Sequence, residues 1–342
     1  MSNIIGIDVG VGSVKAVSVN HEDKGFVLET IGEVNTPRVE WLKGDSKNKA
    51  IDTIADTIKK LLGDIKCRSR QVVTCLPEDE VVSRLIHLPP LKESEIKDAL
   101  QFEAETFVPF PLDEVSIDYE VINTDDTGRI SVFAIAARNE VINSYVKLFR
   151  KVGLELLALE SPALAMRRAV NFALSQVSGI IFVDMGEKFS DIISIYKSNV
   201  YFTRSMSMGG DSLTRAISLN LGLDMSSAEE YKKAYGMRET ELEGKIKTAM
   251  LPVFNSMAEE IRKSMALFRE TVGSSPELLV LSGGGANLPG FAEELTRLLG
   301  VEVQVIQPFI NIDTSRQASF MNYNSEGCRF TLAVGLALRS VI

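Results

Sequence analysis

Hydrophobic positions alternate from the start of the chain. Ile5, Ile7 and Val9 share one face, and after Gly10-Val11-Gly12-Ser13 the residues Val17 and Val19 mark a returning strand. Period-two alternation on both sides of a glycine turn predicts a half-buried hairpin. The glycines suit a tight turn because glycine takes positive φ at little steric cost. Phe26 to Val34 continues as a third strand. From Ala50 the spacing becomes helical, with Ile51, Ile54, Ala55, Ile58, Leu61 and Leu62 on one side as far as a stop at Gly63. Gln71 to Leu76 is a short apolar strand closed by Pro77, so three strands, a helix and a strand make one α/β lobe.

The pattern changes between about 79 and 153. Val81 to Leu88 alternates, Glu93 to Thr106 is helical with Ile96, Leu100 and Phe107 on one face, and Pro109-Phe110-Pro111 ends that helix. Val115 to Ile122 and Ile130 to Ala136 are strands, and Asn139 caps a helix through Phe149 that closes at Gly153. This β-α-β-β-α run reads as an inserted subdomain whose Ile96/Leu100/Phe107 stripe serves its own core or a bound peptide. Leu154 to Leu159 returns to strand, and Ser161-Pro162 opens a helix to Leu174. Later, Ile180 to Ile195 reads as a second hairpin and Val200 to Arg204 as its third strand, then a helix over Ser212 to Leu221. Ser226 or Ser227 caps a helix to Gly236, and a long helix from Lys247 to Val272 is interrupted near Pro252. Leu278 to Leu281 is a buried strand, a helix follows from Leu288 or Pro289 to Leu299, and Val301 to Ile306 is a strand. A polar loop from Pro308 to Gly327 precedes a terminal helix.

Internal repetition gives this order a meaning. Ile5, Ile7, Asp8, Gly10, Val17 and Val19 match Ile181, Val183, Asp184, Gly186, Ile193 and Ile195 at one constant offset. The repeated unit is strand, Asp-x-Gly, turn, strand. Glycine-rich turns expose backbone N–H groups that form anion-binding nests. Lys15 adds a point charge for phosphate, and Asp8 is suited to a hydrated Mg²⁺ ion; equally, Asp8 and Lys15 can simply pair across the hairpin. Two such turns facing each other could clamp a polyphosphate, with one carboxylate from each lobe holding Mg²⁺. Gly283-Gly284-Gly285 would let a flat base lie against bare backbone. No G-x-x-x-x-G-K-[ST] occurs, and Lys15 and Leu288 occupy the third-glycine positions of G-x-G-x-x-G, which excludes both common dinucleotide and P-loop signatures. Two histidines, His21 and His87, and no G-x-S-x-G leave little for a serine hydrolase.

Composition narrows the class. At 342 residues the chain has room for two domains, and 45% apolar residues are enough to core both. A net charge of −9 without a long basic run argues against nucleic acid as partner. Cys67, Cys75 and Cys328 form no C-x-x-C pair and read as buried small hydrophobes of a reduced, cytoplasmic protein. No stretch reaches the roughly 20 apolar residues of a membrane span. The chain enters a strand too early for a signal peptide, and the apolar segment Phe330 to Ile342 reads as a buried helix, so membrane contact is expected only through partners.

Three segments, Ile4–Lys15, Val183–Ile195 and Leu279–Phe291, resemble the two phosphate motifs and the adenosine motif of the actin/hexokinase/heat-shock-70 superfamily. The inserted run lies where the division protein FtsA carries its subdomain 1C. Leu88-Pro89-Pro90, Phe102-Glu103-Ala104-Glu105 and Val108-Pro109-Phe110-Pro111 are similar to the PilM family of type IV pilus assembly proteins in particular. The resemblance implies an α/β, two-lobed actin-like (ribonuclease-H-like duplicated) ATPase fold with an FtsA-type 1C subdomain. Residues 1–78, 154–179 and 328–342 would form the first lobe, 79–153 the insert and 180–327 the second lobe.

Carried over residue by residue, Asp8 and Asp184 would sit beside Mg²⁺ through water, and Gly10, Val11, Gly12, Ser13 and Lys15 would contact phosphate. Gly186, Gly209 and Gly210 would line the cleft from the second lobe, Glu229 and Lys232 would hold the ribose, and Gly284, Gly285 and Asn287 would border the adenine. Glu160 falls where relatives orient the attacking water, although Ser161 departs from their Glu-Pro. Glu187, Lys188 and Phe189 replace the relatives' second-loop glycines, which implies ATP binding with slow hydrolysis or none. The implied role is a cytoplasmic scaffold, peripheral to the inner membrane, that holds the N-terminal cytosolic segment of a PilN-like protein. In the relatives that segment packs beside the inserted subdomain. Pilus motor ATPases and self-association are further implied partners. The alternatives are an FtsA-like filament former, or a metabolic kinase of the superfamily, for which no segment supplies an acid/base carboxylate and sugar pocket.

Overall fold

The computed structural model describes residues 4–42, 47–240, 242–339 and 341–342; residues 1–3 and Ser340, at the outer ends of the expected first lobe, lie outside them. β1 (Ile4–Val9), β2 (Ser13–Glu22) and β3 (Gly25–Asn35) form the expected antiparallel meander. Helix α1 (Lys47–Asp64) ends within one residue of the expected stop at Gly63, and the residue that turns the chain afterwards is Lys66 at φ 50°. β4 (Gln71–Cys75) then returns parallel to β1.

In the insert, β5 (Val81–Leu88), α2 (Glu93–Ala104), β6 (Val115–Thr124) and β7 (Ile130–Arg138) build a three-stranded antiparallel sheet in the order β5-β7-β6. Ile96 and Leu100 of α2, with Phe107 beside them, cover Ile86, Leu88, Ile130 and Val132 of that sheet, so this stripe is the subdomain's own core. α3 (Asn139–Val152) is not capped by Asn139, which is its first helical residue. The Asn139 side chain instead accepts from Ser116 Oγ at 2.7 Å. Burial explains where α3 goes: Val141, Tyr145, Leu148 and Phe149 pack with Ile51, Ile54 and Ile58 of α1 in the first lobe's core.

β8 (Glu155–Glu160) extends the first sheet beside β4, and α4 (Pro162–Ala173) begins at Pro162. β9 (Gly179–Met185), β10 (Ser190–Tyr196) and β11 (Asn199–Met206) form a second meander, followed by α5 (Gly210–Leu221) and α6 (Met225–Tyr235). Asp224, not a serine, caps α6, accepting from Ser227 N at 3.0 Å. α7 (Lys245–Val272) continues through Pro252 because Ile246, Met250, Phe254, Met257, Ile261 and Phe268 bury one face throughout, outweighing the roughly 3 kcal/mol of an interior proline. β12 (Leu278–Ser282), α8 (Phe291–Leu299) and β13 (Val303–Val305) complete the second sheet. The segment expected to be loop contains β14 (Ile312–Asp313), which pairs with β3 of the first sheet, well before the expected return at 328. α9 (Tyr323–Glu326) and α10 (Thr331–Leu338) end the chain.

The sheets run β14-β3-β2-β1-β4-β8 and β11-β10-β9-β12-β13, the same meander followed by two parallel strands. The repeat read in the sequence is thus a repeat of topology. Helix α10 is buried against β1 at Gly6, where an added Cβ would lie 2.5 Å from Ala337 N and 2.6 Å from Ala333 O. Ala163, Met166 and Val170 of α4 belong to the second lobe's core, while Gly335 of α10 packs on the α4 backbone, so α4 joins the lobes. Ser83 of the insert meets Thr203 of β11 at 2.9 Å and Glu120 binds Arg167 of α4 at 2.7 Å, which docks the insert on β11 and α4.

Candidate functional site

The first turn lies at the C-terminal end of β1. Asp8 and Lys15 face each other in the β1–β2 register, with Nζ 3.8 Å from Oδ2. Lys15 is also the cross-strand partner of Glu33, 3.9 Å away, and Ser13 Oγ donates to Glu33 Oε1 at 2.8 Å. Neither Gly10 nor Gly12 has positive φ, so the expected reason for glycine there is wrong. At Gly10 the constraint is backbone, since a Cβ would sit 3.0 Å from Ser13 O; at Gly12 a Cβ would overlap only the movable carboxylate of Glu187. Among the described residues, the Val11 and Gly12 amides have no hydrogen-bond partner. Thr36 ties the next loop to the turn, its N donating to Gly12 O at 3.0 Å and its Oγ1 to Gly10 O at 2.7 Å.

Asp184 occupies the equivalent place at the end of β9. Burial pushes the Asp8 carboxyl up to about 6; the Lys15 ammonium opposes this, and the charges of Asp184 and Glu33 add to it. Burial likewise raises Asp184, against the Ser282 hydroxyl and Lys15. The structure therefore brings the two repeat aspartates near one lysine, one from each lobe. Around the second turn, Gly210 N donates to Gly186 O at 3.0 Å and Asp211 N to Glu187 O at 2.9 Å. Gly209 must be bare, since a Cβ would come within 2.5 Å of Glu187 O. The first amides of α5 are thus used on the turn's own carbonyls.

Glu229 and Lys232 share a face of α6 as expected, but Lys232 is buried and all three of its N–H groups are taken. It donates to Gly210 O at 2.9 Å and Thr214 Oγ1 at 2.8 Å, and pairs with Glu229 Oε2 at 2.6 Å. Lys232 is a strut between α5 and α6. Against the effect of burial, the Lys232 and Thr214 hydrogen bonds hold the Glu229 carboxyl down to about 2. At the far end, Gly283 has φ 80° and abuts Met185 O, whereas a Cβ on Gly284 would meet nothing, which leaves open space over that turn. Gly285 packs on Met185, and Asn287 Oδ1 accepts from Cys328 Sγ at 3.2 Å.

Glu160 stands differently. Its buried carboxylate accepts from Arg168 Nη2 at 3.1 Å and from Arg339 Nη1, and its carbonyl accepts from Leu76 N at 2.9 Å. A carboxylate held by two guanidiniums is a structural anchor, and the expected water-orienting role does not fit it. Sequence reasoning missed Glu33 and Arg38. Glu33 could have been found by aligning β3 against Lys15. Arg38, which pairs with Glu187 of the other lobe, carries no local signal.

Comparison with known proteins bears on the family and the fold. The sequence model described as "Type IV pilus assembly protein PilM" matches residues 6–341. The solved "PilM-PilN type IV pilus biogenesis complex" is similar at 28% identity and a TM-score of 0.85, over 99% of this chain and 98% of that one. MreB 5 of Spiroplasma citri bound to AMPPNP shares the fold, with a TM-score of 0.56 at 12% identity over 100% of this chain and 97% of its own. The cell division protein FtsA of Streptococcus pneumoniae serotype 2 (strain D39 / NCTC 7466) is 22% identical over 333 residues, 89% of this chain and 66% of FtsA. The chain therefore spans about two thirds of the length of the FtsA proteins it matches. Its two lobes have the actin-like fold, and the chain belongs to the PilM family of type IV pilus assembly proteins.

Proposed function

We propose that this chain binds ATP with Mg²⁺ between its lobes, turns it over slowly or not at all, and in the nucleotide-biased closed shape holds the N-terminal cytosolic segment of a PilN-like inner-membrane protein. The observation that carries the reading is Asp8 at the end of β1, 3.8 Å from Lys15, with Asp184 at the equivalent end of β9 close enough to act on Asp8 and to be acted on by Lys15 through charge. Two raised carboxyls within the influence of one ammonium are short of positive charge, and the unpartnered Val11 and Gly12 amides want an anion; both needs fit a magnesium polyphosphate. When bound, Mg²⁺ would neutralise the two carboxylates and the phosphates together. Lys15 would orient the phosphate chain, and the open space above Gly284 would receive the base. Glu229 is left as the ribose contact, because Lys232 has no free donor. With Glu160 committed to two arginines, no carboxylate is free at that position to orient water, which favours slow turnover.

Phe102, 75% exposed on α2, and the half-exposed Phe110 give the insert an apolar surface for the partner segment. The association would bring the chain to the inner membrane, since among the described residues no helix is long and apolar enough to cross one.

Calorimetry tests the site: Asp8→Ala and Lys15→Ala should each abolish Mg-ATP binding, and unchanged affinity in both would refute it. For the partner, an immobilised PilN-type cytosolic segment should retain the chain more strongly with Mg-ATP than without. Equal retention would refute nucleotide bias.

A further inference from the structure

Glu187 reaches out of the second lobe onto the first. Its Oε2 lies where a side chain on Gly12 would have to be, and its Oε1 pairs with Arg38 Nη1. Arg38 follows Thr36, whose two hydrogen bonds fasten that loop to the Gly10–Gly12 turn. A carboxylate from one lobe therefore rests on the glycine turn of the other, beside two amides without acceptors, and a guanidinium covers it.

We infer that Glu187 stands in for a phosphate on the first turn, and that Arg38 is an anion-binding residue which exchanges this carboxylate for a phosphate group of the ligand. The inference rests on the nucleotide reading for the identity of that ligand, an organic polyphosphate.

Three features support the exchange. The Glu187 backbone is pinned, because its carbonyl accepts from Asp211 N at 2.9 Å, so release is a rotation of the side chain and leaves the loop in place. The Arg38 side chain is 67% exposed, and Glu187, at 21%, has a buried Oε1 that makes no hydrogen bond, so the pair is poorly held and giving it up costs little. A phosphate offers the guanidinium a bidentate, more highly charged acceptor than a carboxylate does. Glu187 thus competes with the ligand for the turn, and it also ties the lobes together while the ligand is absent.

The test uses the full chain and calorimetry with Mg-ATP. Glu187→Gln keeps the shape and removes the charge, and it should bind about tenfold more tightly than the unsubstituted chain. Arg38→Gln made in that variant should return about tenfold of the gain, since Glu187 no longer confounds its effect. Equal affinity of the chain and its Glu187→Gln variant would overturn the competition, and an Arg38→Gln change without effect would overturn the anion role. If no form binds Mg-ATP, the nucleotide reading fails by itself. Inorganic tripolyphosphate titrated into the same proteins then decides: the same tightening with Glu187→Gln and loss with Arg38→Gln supports the exchange, and no difference overturns it.

Discussion

Glu78 follows β4 on a short turn, with its carboxylate buried and Oε2 without a hydrogen-bond partner; Asp191, opposite Asp184 on β10, likewise has a buried, unpartnered Oδ1. Burial first raises both; the charge of Asp191 then adds to Glu78, and the charges of Asp184 and Asp79 add to Asp191. Glu78 goes up to about 8 and Asp191 to about 7, with hydrogen bonds to Thr203 and Ser205 opposing. The native state therefore binds these protons more tightly than the unfolded chain does. Stability from this pair is greatest near pH 4 and falls as pH rises through 7 and 8. Glu78→Gln, which keeps the shape without the charge, should raise stability at pH 9 by roughly 2 kcal/mol and flatten the profile between pH 5 and 8. Denaturant melts across that range check it, and an unchanged slope would contradict the assignment. Asp8, raised to about 6, adds a smaller loss of the same sign between pH 4 and 6.

At the scale of elements, α10 is inserted tightly between β1 and α4. Thr331, Ala333, Val334, Leu336, Ala337 and Leu338 are buried, and Gly335 lies against the Ala165 carbonyl with no space for a Cβ. Because the obstacle is backbone, it has no side chain to swing aside. Gly335→Ala should cost about 3 kcal/mol, seen as a lower denaturant midpoint with the same dependence on denaturant. A midpoint unchanged from the parent would mean that α4 and α10 separate freely. Several features of the elements were legible beforehand from period-two and period-3.6 spacing: the two meanders, α1, α2 and the course of α7. The errors fell at ends and caps. Pro252 looked like an interruption, yet it lies inside a helix whose buried face continues past it. Asp224 outcompeted Ser226 and Ser227 because its carboxylate reaches the Ser227 amide.

For the whole molecule, Glu160 is a tie between distant parts of the chain: β8 carries it, α4 supplies Arg168, and Arg339 comes from the terminus. Arg168 Nη1 also donates to Gly335 O at 2.6 Å. Glu160→Ala would leave buried positive charge uncompensated and should destabilise the chain by about 3 kcal/mol. Hydrogen exchange should then rise in α10 and α4 ahead of the second sheet, and uniform protection would count against this role. The sequence by itself determined the duplicated strand-Asp-x-Gly-turn unit, the placing of Asp8, Asp184 and Lys15 beside those turns, and the glycine triplet at 283–285, of which the structure leaves Gly284 open. Each depends on alternation or turn chemistry within a short window. Only the tertiary structure decided that Lys232 is a strut and Glu160 an anchor, that α3 and β14 join the first lobe, and that Glu187 and Arg38 meet across the cleft. Those outcomes depend on which surfaces bury one another over long separations. No local spacing records that, because any exposed acid or base can pair with whichever opposite charge the packing brings to it.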